Sequence, residues 1–416
     1  MRILMLSGAY PLPANNGARR RILATASHLS QRHDLTLISL REHNPSAVLS
    51  TETAYEVPWQ DYVVDLPVKS RWRTAARSCF SRHSYGQVKY WNHNFLSITE
   101  KLLEAQHFDC IWVHVLNMAP YIEQCFSGNQ SWQSRSRPIF VLDQQNVDEL
   151  YYRSFVNSKV NVTWRMYAVL EMLKAKYLQK RWFPRFDAIL SVAPEDLQKT
   201  AQYVDSRTSL WLAPNGVDID YFQPVSQQDL RERTLILVFG GSMDVAMNQD
   251  AVYWFAAGIL PRIKQQVPDV QFWIVGRDPP AAVRSLAERQ GIRVTGTVPD
   301  VRDYYRQTAV FVVPLRAGGG TKLKTMEAMA MGLPIVSTAV GAQGLDIESG
   351  RHLYIADNPE VFAAYTVELL EDRNKALQMG GEARRLVEQQ YSWKSIIGEV
   401  DRKLTDLVHN KGGGVG

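Results

Sequence analysis

The residues best suited to chemistry crowd into one stretch, Pro314 to Pro334. Gly318, Gly319 and Gly320 stand side by side, followed by Thr321, Lys322, Lys324 and Glu327, and Gly332 closes the run. Adjacent glycines let the backbone approach a ligand closely. A helix is expected from about Thr321 to Met331, so its free N–H groups and positive dipole end would sit beside the loop, an arrangement that favours phosphate. Lys322 and Lys324 fall in the first turn, where cations oppose the dipole, and a bound diphosphate would offset that. Glu327 is the acid of an otherwise apolar face of Met326, Ala328, Met329 and Ala330. A carboxylate there suits a ribose diol, whose two hydroxyls can both donate to it. The alternatives are a plain turn with solvated lysines and a structural salt bridge at Glu327.

Other patterns carry less. Asp218-Ile-Asp220 is a D-x-D pair, but it trails a Pro-Asn-Gly turn rather than a strand end. No His, Cys and Asp set has metal spacing, and no metal is expected. The first strand–helix turn lacks G-x-G-x-x-G, which counts against a dehydrogenase. Val68–Trp91 interleaves Lys69, Arg71, Arg73, Arg77, Arg82 and Lys89 with Trp72, Phe80, Tyr85, Tyr90 and Trp91. Cations among interfacial aromatics suit an anionic membrane surface; a solvated basic helix is the other reading. Lys174, Lys176, Lys180, Arg181 and Arg185, with Trp182 and Phe183, repeat the pattern more weakly. Nucleic acid is disfavoured, since no binding motif accompanies the charge.

These residues need a scaffold, and the hydrophobic pattern supplies it. Arg2–Ser7 is a buried-strand run, a Gly/Pro/Asn loop leads into a helix from about Ala18 to Arg32, and Leu35–Leu40 is a second strand. Further strands are expected at 110–115, 139–143, 188–192 and 209–213. After a polar linker at 220–233 a second series follows, at 234–239, 271–275, 292–295, 310–314 and 334–337. Alternating strands and helices imply parallel doubly wound sheets. Two domains are expected, 1–218 and 219–390, facing a cleft with the loops at their strand ends.

Composition agrees. The chain has 416 residues, of which 45% are hydrophobic and 21% charged, with a net charge of +5. That excludes disorder and low complexity. Residues 1–217 hold 25 Lys+Arg against 18 Asp+Glu, and residues 218–416 hold 22 against 24. The basic half points to a polyanionic or membrane-surface partner for that half alone. No apolar run approaches the ~20 residues of a spanning helix. Cys79, Cys110 and Cys125 fit neither a disulfide framework nor a zinc site. A cytoplasmic protein is expected, with peripheral contact at the inner membrane face.

The Gly318–Glu327 segment resembles the C-terminal signature of the retaining glycosyltransferases of family 4, which have the GT-B fold. So do Pro214-Asn-Gly-Val-Asp218, Phe239-Gly-Gly-Ser-Met243 with Asn248, Thr295–Asp300, and Tyr391-Ser-Trp393. In the first half, Ser7-Gly8 with Gly17 and Arg19–Arg21, Phe108–His114, and Asp143 with Asn146 are similar to the exopolysaccharide-associated branch. The resemblance implies two Rossmann-like domains. The second would hold a nucleotide-diphosphate sugar through Gly241, Ser242, Gly319, Gly320, Thr321, Lys322 and Glu327. The first would hold the acceptor, with Gly17 near the donor and Arg19, Asp143 and Asn146 on the acceptor side. A helix at about 391–412 would return to the first domain.

Three departures stand out. The first acid of the family's paired-glutamate motif falls on Gly319. The cations usual after the first strand of the second domain are absent from Gly240–Asn248, so Lys322, then Arg316 and Arg277, are the expected diphosphate partners. Gln145 stands where many relatives have histidine, which leaves His114 as the candidate beside the reacting sugar; the other reading makes it a strand-end histidine with one structural bond. The expected activity is retaining, metal-independent transfer to a glycan or lipid-linked saccharide, with His114, Lys322 and Glu327 at the reaction. No cofactor is expected beyond the donor. A nucleotide-sugar epimerase and a non-catalytic binding subunit are the alternatives.

Overall fold

A computed structural model describes residues 1–14, 16–42, 57–67, 70–123, 137–145, 147–156, 162–225, 235–318 and 320–412. The chain divides into two units, Met1–Pro214 with Ile397–Gly416, and Asn215–Ile396. The break falls at Pro214, ahead of the 218/219 boundary read from the sequence, so the turn at 215–218 belongs to the second unit.

Unit 1 is built on seven strands: β1 (Arg2–Ser7), β2 (Asp34–Glu42), β3 (Gln60–Leu66), β4 (Cys110–His114), β5 (Ile139–Gln144), β6 (Ala188–Ser191) and β7 (Ser209–Leu212). Their order is β3-β2-β1-β4-β5-β6-β7, every pair parallel. Helices are α1 (Gly17–Ser30), α2 (Arg71–Cys79), α3 (Tyr85–Tyr90), α4 (His93–Ala105), α5 (Asp148–Val156), α6 (Val162–Trp182) and α7 (Pro194–Thr200). Ile3–Leu6 and Ile111–Val113 are fully buried, as parallel strands covered on both faces require. Asn16 caps α1, its side chain accepting from the Arg19 N–H at 3.0 Å.

Unit 2 has six parallel strands: β8 (Ile236–Gly240), β9 (Gln271–Val275), β10 (Ile292–Gly296), β11 (Val310–Val313), β12 (Ile335–Ser337) and β13 (Tyr354–Ile355), in the order β10-β9-β8-β11-β12-β13. Its helices are α8 (Ala246–Trp254), α9 (Leu260–Gln266), α10 (Ala281–Arg284), α11 (Arg302–Tyr305), α12 (Leu323–Ala330), α13 (Pro359–Glu371) and α14 (Arg373–Leu386). The last helix, α15 (Trp393–Gly412), starts in unit 2 and belongs to unit 1 from Ile397 onward. There the buried Asp401 accepts from the Arg32 guanidinium at 2.7 Å and lies 2.6 Å from His33 Nε2.

β3 and β13 are strands the hydrophobic pattern does not reveal. β3 is an edge strand carrying Asp61 and Asp65, and β13 is two residues long. In both sheets the strand order reverses beside the first strand, between β1 and β4 and between β8 and β11. Open α/β sheets bind ligands at the carboxyl ends of the strands flanking such a reversal.

Candidate functional site

In unit 2 the reversal is framed by the loop after β8 and the loop after β11. The first approaches the end of β9 so closely that only glycine fits. A Cβ on Gly276 would lie 1.7 Å from the Gly241 carbonyl oxygen. The loop is fixed by the Gly241 N–H donating to Val275 O at 2.9 Å and the Met243 N–H donating to Arg277 O at 2.8 Å. Arg277 Nε donates to Ser242 Oγ at 2.8 Å, which joins two of the expected donor-binding residues.

The second loop leads into α12. Gly320 has φ +68°, a conformation that favours glycine. Lys322 is the N-cap rather than a first-turn residue, and α12 runs from Leu323 to Ala330, shorter at each end than the expected 321–331. Leu, Lys, Met, Glu and Ala are good helix formers, and Thr325–Ala330 are all buried. Gly332, at φ +67°, stops the helix. Arg384 donates to Phe222 O at 2.9 Å and to Ala330 O, placing a cation at the negative end of α12.

The first turn of α12 has no acidic residue and two lysines beside it. Lys322 is buried and its Nζ donates to Gly320 O at 2.8 Å; burial lowers its pKa. Lys324 reaches across to the other loop. Its Nζ donates to Asn248 Oδ1 at 2.7 Å, lies 4.0 Å from the Phe239 ring centroid, and would touch a Cβ on Gly241 at 2.7 Å. Asn248 in turn donates to Ser242 O at 2.8 Å. Burial brings the Lys324 ammonium down to about 7, with Lys322 adding to the fall and Glu327 opposing it. The result is a helix N-terminus with two poorly hydrated cations and a buried carboxylate, Glu327, one turn further on. A helix N-terminus of this kind suits an anion, and a carboxylate one turn on can accept from a diol.

The expected residues divide accordingly. Gly241, Ser242, Gly320, Thr321, Lys322 and Glu327 lie on these loops or on α12, and Arg277, just after β9, is bonded to Ser242. Arg316 is turned to Asp250, with Nε donating to Oδ2 at 2.9 Å, and packs over Trp254, so its guanidinium is already engaged. Gly319 lies outside the described residues. Lys324 is read from the sequence only as a first-turn lysine beside Lys322, with Arg316 and Arg277 preferred to it as diphosphate partners. The empty cation positions in Gly240–Asn248 were the available signal, since Lys324 ends beside Asn248.

In unit 1, His114 ends β4 and pairs in register with Ser7 of β1, at the strand-order reversal. It is buried rather than open to solvent. Arg21, Asp143 and His114 are essentially inaccessible to solvent. Arg21 Nε donates to both Asp143 oxygens at 2.8 and 3.0 Å, and its NH1 donates to Ala213 O at 2.9 Å and Pro214 O at 3.2 Å. His114 Nδ1 is 3.1 Å from Asp143 Oδ2. Burial alone would raise the Asp143 carboxyl; Arg21 and His114 outweigh it and hold the group below the usual carboxylate range. Asp143 thus ties Arg21 and His114 together in a buried cluster. His114 Nε2 has no partner among the described residues. Gly17 and Arg19 open α1, and Asn146 lies outside the described residues. Arg21 lies in the Arg19–Arg21 run, of which sequence reasoning assigns only Arg19 a role, because nothing local separates the three arginines.

Elsewhere in unit 1, Arg77, Val88, Trp91, Asn117, Pro120 and Tyr121 line a cavity of about 470 Å³. Among the described residues no three or more His, Cys, Asp or Glu side chains gather at metal distance, and no helix is long and apolar enough to cross a membrane.

The two parallel-sheet α/β units are those of the GT-B fold, which solved structures share. Sucrose-phosphate synthase from Thermosynechococcus elongatus superposes with a TM-score of 0.66 at 16% identity, covering 99% of this chain and all of that one. Anabaena HepE in complex with UDP and glucose gives 0.62 at 14% identity, covering 97% and 99%. Residues 234–372 match the family described as glycosyl transferases group 1, a span that includes both loops and α12. Among curated proteins, an uncharacterized 44.6 kDa protein in the cps region of Klebsiella pneumoniae is 20% identical over 96% of this chain and 98% of its own length. The phosphatidyl-myo-inositol mannosyltransferase of Mycobacterium tuberculosis is 28% identical over 51% of this chain and 58% of its own length, so less than two thirds of that relative is matched. Together these matches support a glycosyltransferase.

Proposed function

We propose that the chain transfers a sugar, with retention of anomeric configuration and without a metal, from a nucleotide-diphosphate sugar to a glycan or lipid-linked saccharide. The resemblance to family 4 and the Klebsiella relative from a cps region favour exopolysaccharide or cell-surface glycan synthesis. The observation that carries the reading is the Lys324–Asn248 contact above the N-terminus of α12. It supplies a cation where the loop after β8 has none.

Breaking the anomeric C–O bond develops charge on the leaving diphosphate. Lys322, Lys324 and the free N–H groups around Gly320 and Thr321 would stabilise that charge, and preorganised donors in a poorly hydrated site are effective at this. Glu327 would hold the ribose hydroxyls. With the cations supplied by the protein, no metal is needed for neutralisation. On the acceptor-binding unit, Asp143 holds the buried His114 ring and the Arg21 guanidinium in place at the strand ends. A double displacement would need two carboxylates about 5 Å apart; in this reading the leaving phosphate takes the acceptor proton instead.

The test is proton NMR of the sugar released or transferred from a panel of nucleotide-diphosphate sugars, with and without EDTA. The expected result is initial product with the donor's anomeric configuration, at a rate EDTA does not change. Inverted product, or loss of turnover with EDTA, overturns the mechanism.

A further inference from the structure

Helix α6 is apolar on two faces. One face, with Ala168, Ala175, Leu178 and Trp182, is buried in unit 1. Met166, Val169, Leu173 and Tyr177 recur at three- and four-residue spacing, which places them on a single opposite face. That face is in solvent: Met166 is 69% exposed, Leu173 55% and Tyr177 58%. A helix that is apolar all round is normally covered on all sides. Beside it lies α2, joined through Trp72 and Trp164, whose rings are 6.0 Å apart, and through Ser78 Oγ and Tyr167 OH at 3.2 Å. Trp72 is 74% exposed, and Phe80, just after α2, is 95% exposed. Exposed apolar groups clustered in this way mark an interaction surface.

Charge selects the partner. α2 and α6 together carry eight Lys or Arg and one acid, Glu171. Glu171 is buried, accepting from the Tyr85 N–H at 2.8 Å and from Lys174 at 3.1 Å. Arg181 is paired with Glu123, and Lys176 lies 3.6 Å from Glu149. Arg73, Arg77 and Lys180 have no ion-pair partner among the described residues. A second copy meeting this face across a two-fold axis would set cation against cation. An anionic lipid surface meets both properties, since aromatic and aliphatic groups enter the interface while Lys and Arg contact headgroups.

We infer that the outer face of α6, with Trp72 and Phe80 beside it, seats unit 1 on an anionic bilayer. This deepens the proposed function, resting on its lipid-linked acceptor. It keeps Trp72, Arg73, Arg77 and Phe80 of the expected 68–91 stretch and extends the contact to α6. Val68 and Lys69 lie outside the described residues, Tyr85 and Tyr90 are half-buried, and Trp91 stacks on Tyr121 at 5.1 Å. Trp182 and Phe183 of the weaker pattern are buried in the core.

The test is sedimentation of the full chain with vesicles of phosphatidylglycerol and phosphatidylcholine in equal parts, against phosphatidylcholine alone. The variants are Met166→Glu/Leu173→Glu and, as a control on unit 2, Val361→Glu. Wild type and the control should pellet with the anionic vesicles only, and less in high salt. The α6 double variant should lose at least tenfold in bound fraction while hydrolysing a sugar nucleotide in solution at the wild-type rate. Failure of wild type to pellet, or equal binding by the double variant, overturns the inference. So does a light-scattering dimer that the double variant dissociates, which would assign the face to a second copy. Because hydrolysis in solution is read separately, loss of donor turnover would count against the proposed function rather than against this surface.

Discussion

Lys324→Met preserves the length of the side chain and removes the ammonium, so folding and donor binding should respond in opposite directions. Holding that ammonium at about 7 instead of 10.5 corresponds to roughly 4–5 kcal/mol at about 1.4 kcal/mol per tenfold change in acidity. The side chain keeps some solvent contact, and screening reduces the realised cost to ~2 kcal/mol. For a unit of this size that is a rise of about 4–8 °C in Tm for the methionine variant without ligand. The pH dependence has a definite sign. Below pH 7 the lysine is charged in both folded and unfolded chains, and the folded state carries the whole cost. Between pH 7 and 10.5 the folded lysine sheds its proton while the unfolded one keeps it, so the advantage of methionine shrinks as pH rises through this window. Donor binding should move the other way. Loss of one charge-assisted contact to a diphosphate removes about 1.5–3 kcal/mol, or roughly 10- to 100-fold in affinity. Differential scanning fluorimetry from pH 6 to 10, with and without nucleoside diphosphate, reads both effects. A methionine variant no more stable than wild type at pH 6, or one that binds nucleoside diphosphate equally well, would refute the reasoning.

Three further outcomes follow from the same geometry. Glu327→Gln should weaken nucleoside diphosphate binding by roughly 10- to 100-fold, while a ligand lacking the ribose diol should bind wild type and variant alike in isothermal titration. Arg21→Met leaves Asp143 buried without its guanidinium and should lower urea stability by ~3–5 kcal/mol; because the Asp143 carboxyl sits below its usual range, the stability it contributes is present above pH ~4 and is lost as pH falls further, so the gap between wild type and Asp143→Asn should narrow in acid denaturation. Cys79 is exposed, whereas Cys110 is buried with its thiol pushed up by burial, so iodoacetamide should label Cys79 in the native protein and Cys110 only in denaturant, as peptide mass spectrometry will show.

The parallel architecture was legible because buried strands are written as continuous apolar runs, such as Ile3–Leu6 and Val310–Val313. β3 and β13 were not, because an acidic edge strand and a two-residue strand leave no such run. The glycine loop ahead of α12 was legible because glycines, lysines and a lone acid are local signals on one turn and one helix. What spacing does not carry is reach across the sheet. Lys324 meets Asn248 from 76 positions away, and Arg21 meets Asp143 from 122 away. The outer stripe of α6 was hidden for a different reason: a helix apolar on two faces shows little amphipathic periodicity. The cations and aromatics near its end drew attention instead, and Trp182 and Phe183 proved to be core.

The most direct measurement is isothermal titration of a panel of nucleotide-diphosphate sugars into wild type, Glu327→Ala and Lys324→Met, with donor hydrolysis followed on the same samples. The account predicts that at least one sugar nucleotide binds and is slowly hydrolysed by wild type, and that both variants lose affinity. If no sugar nucleotide binds, or if both variants bind as wild type does, the donor site is not at the N-terminus of α12 and the central claim is contradicted.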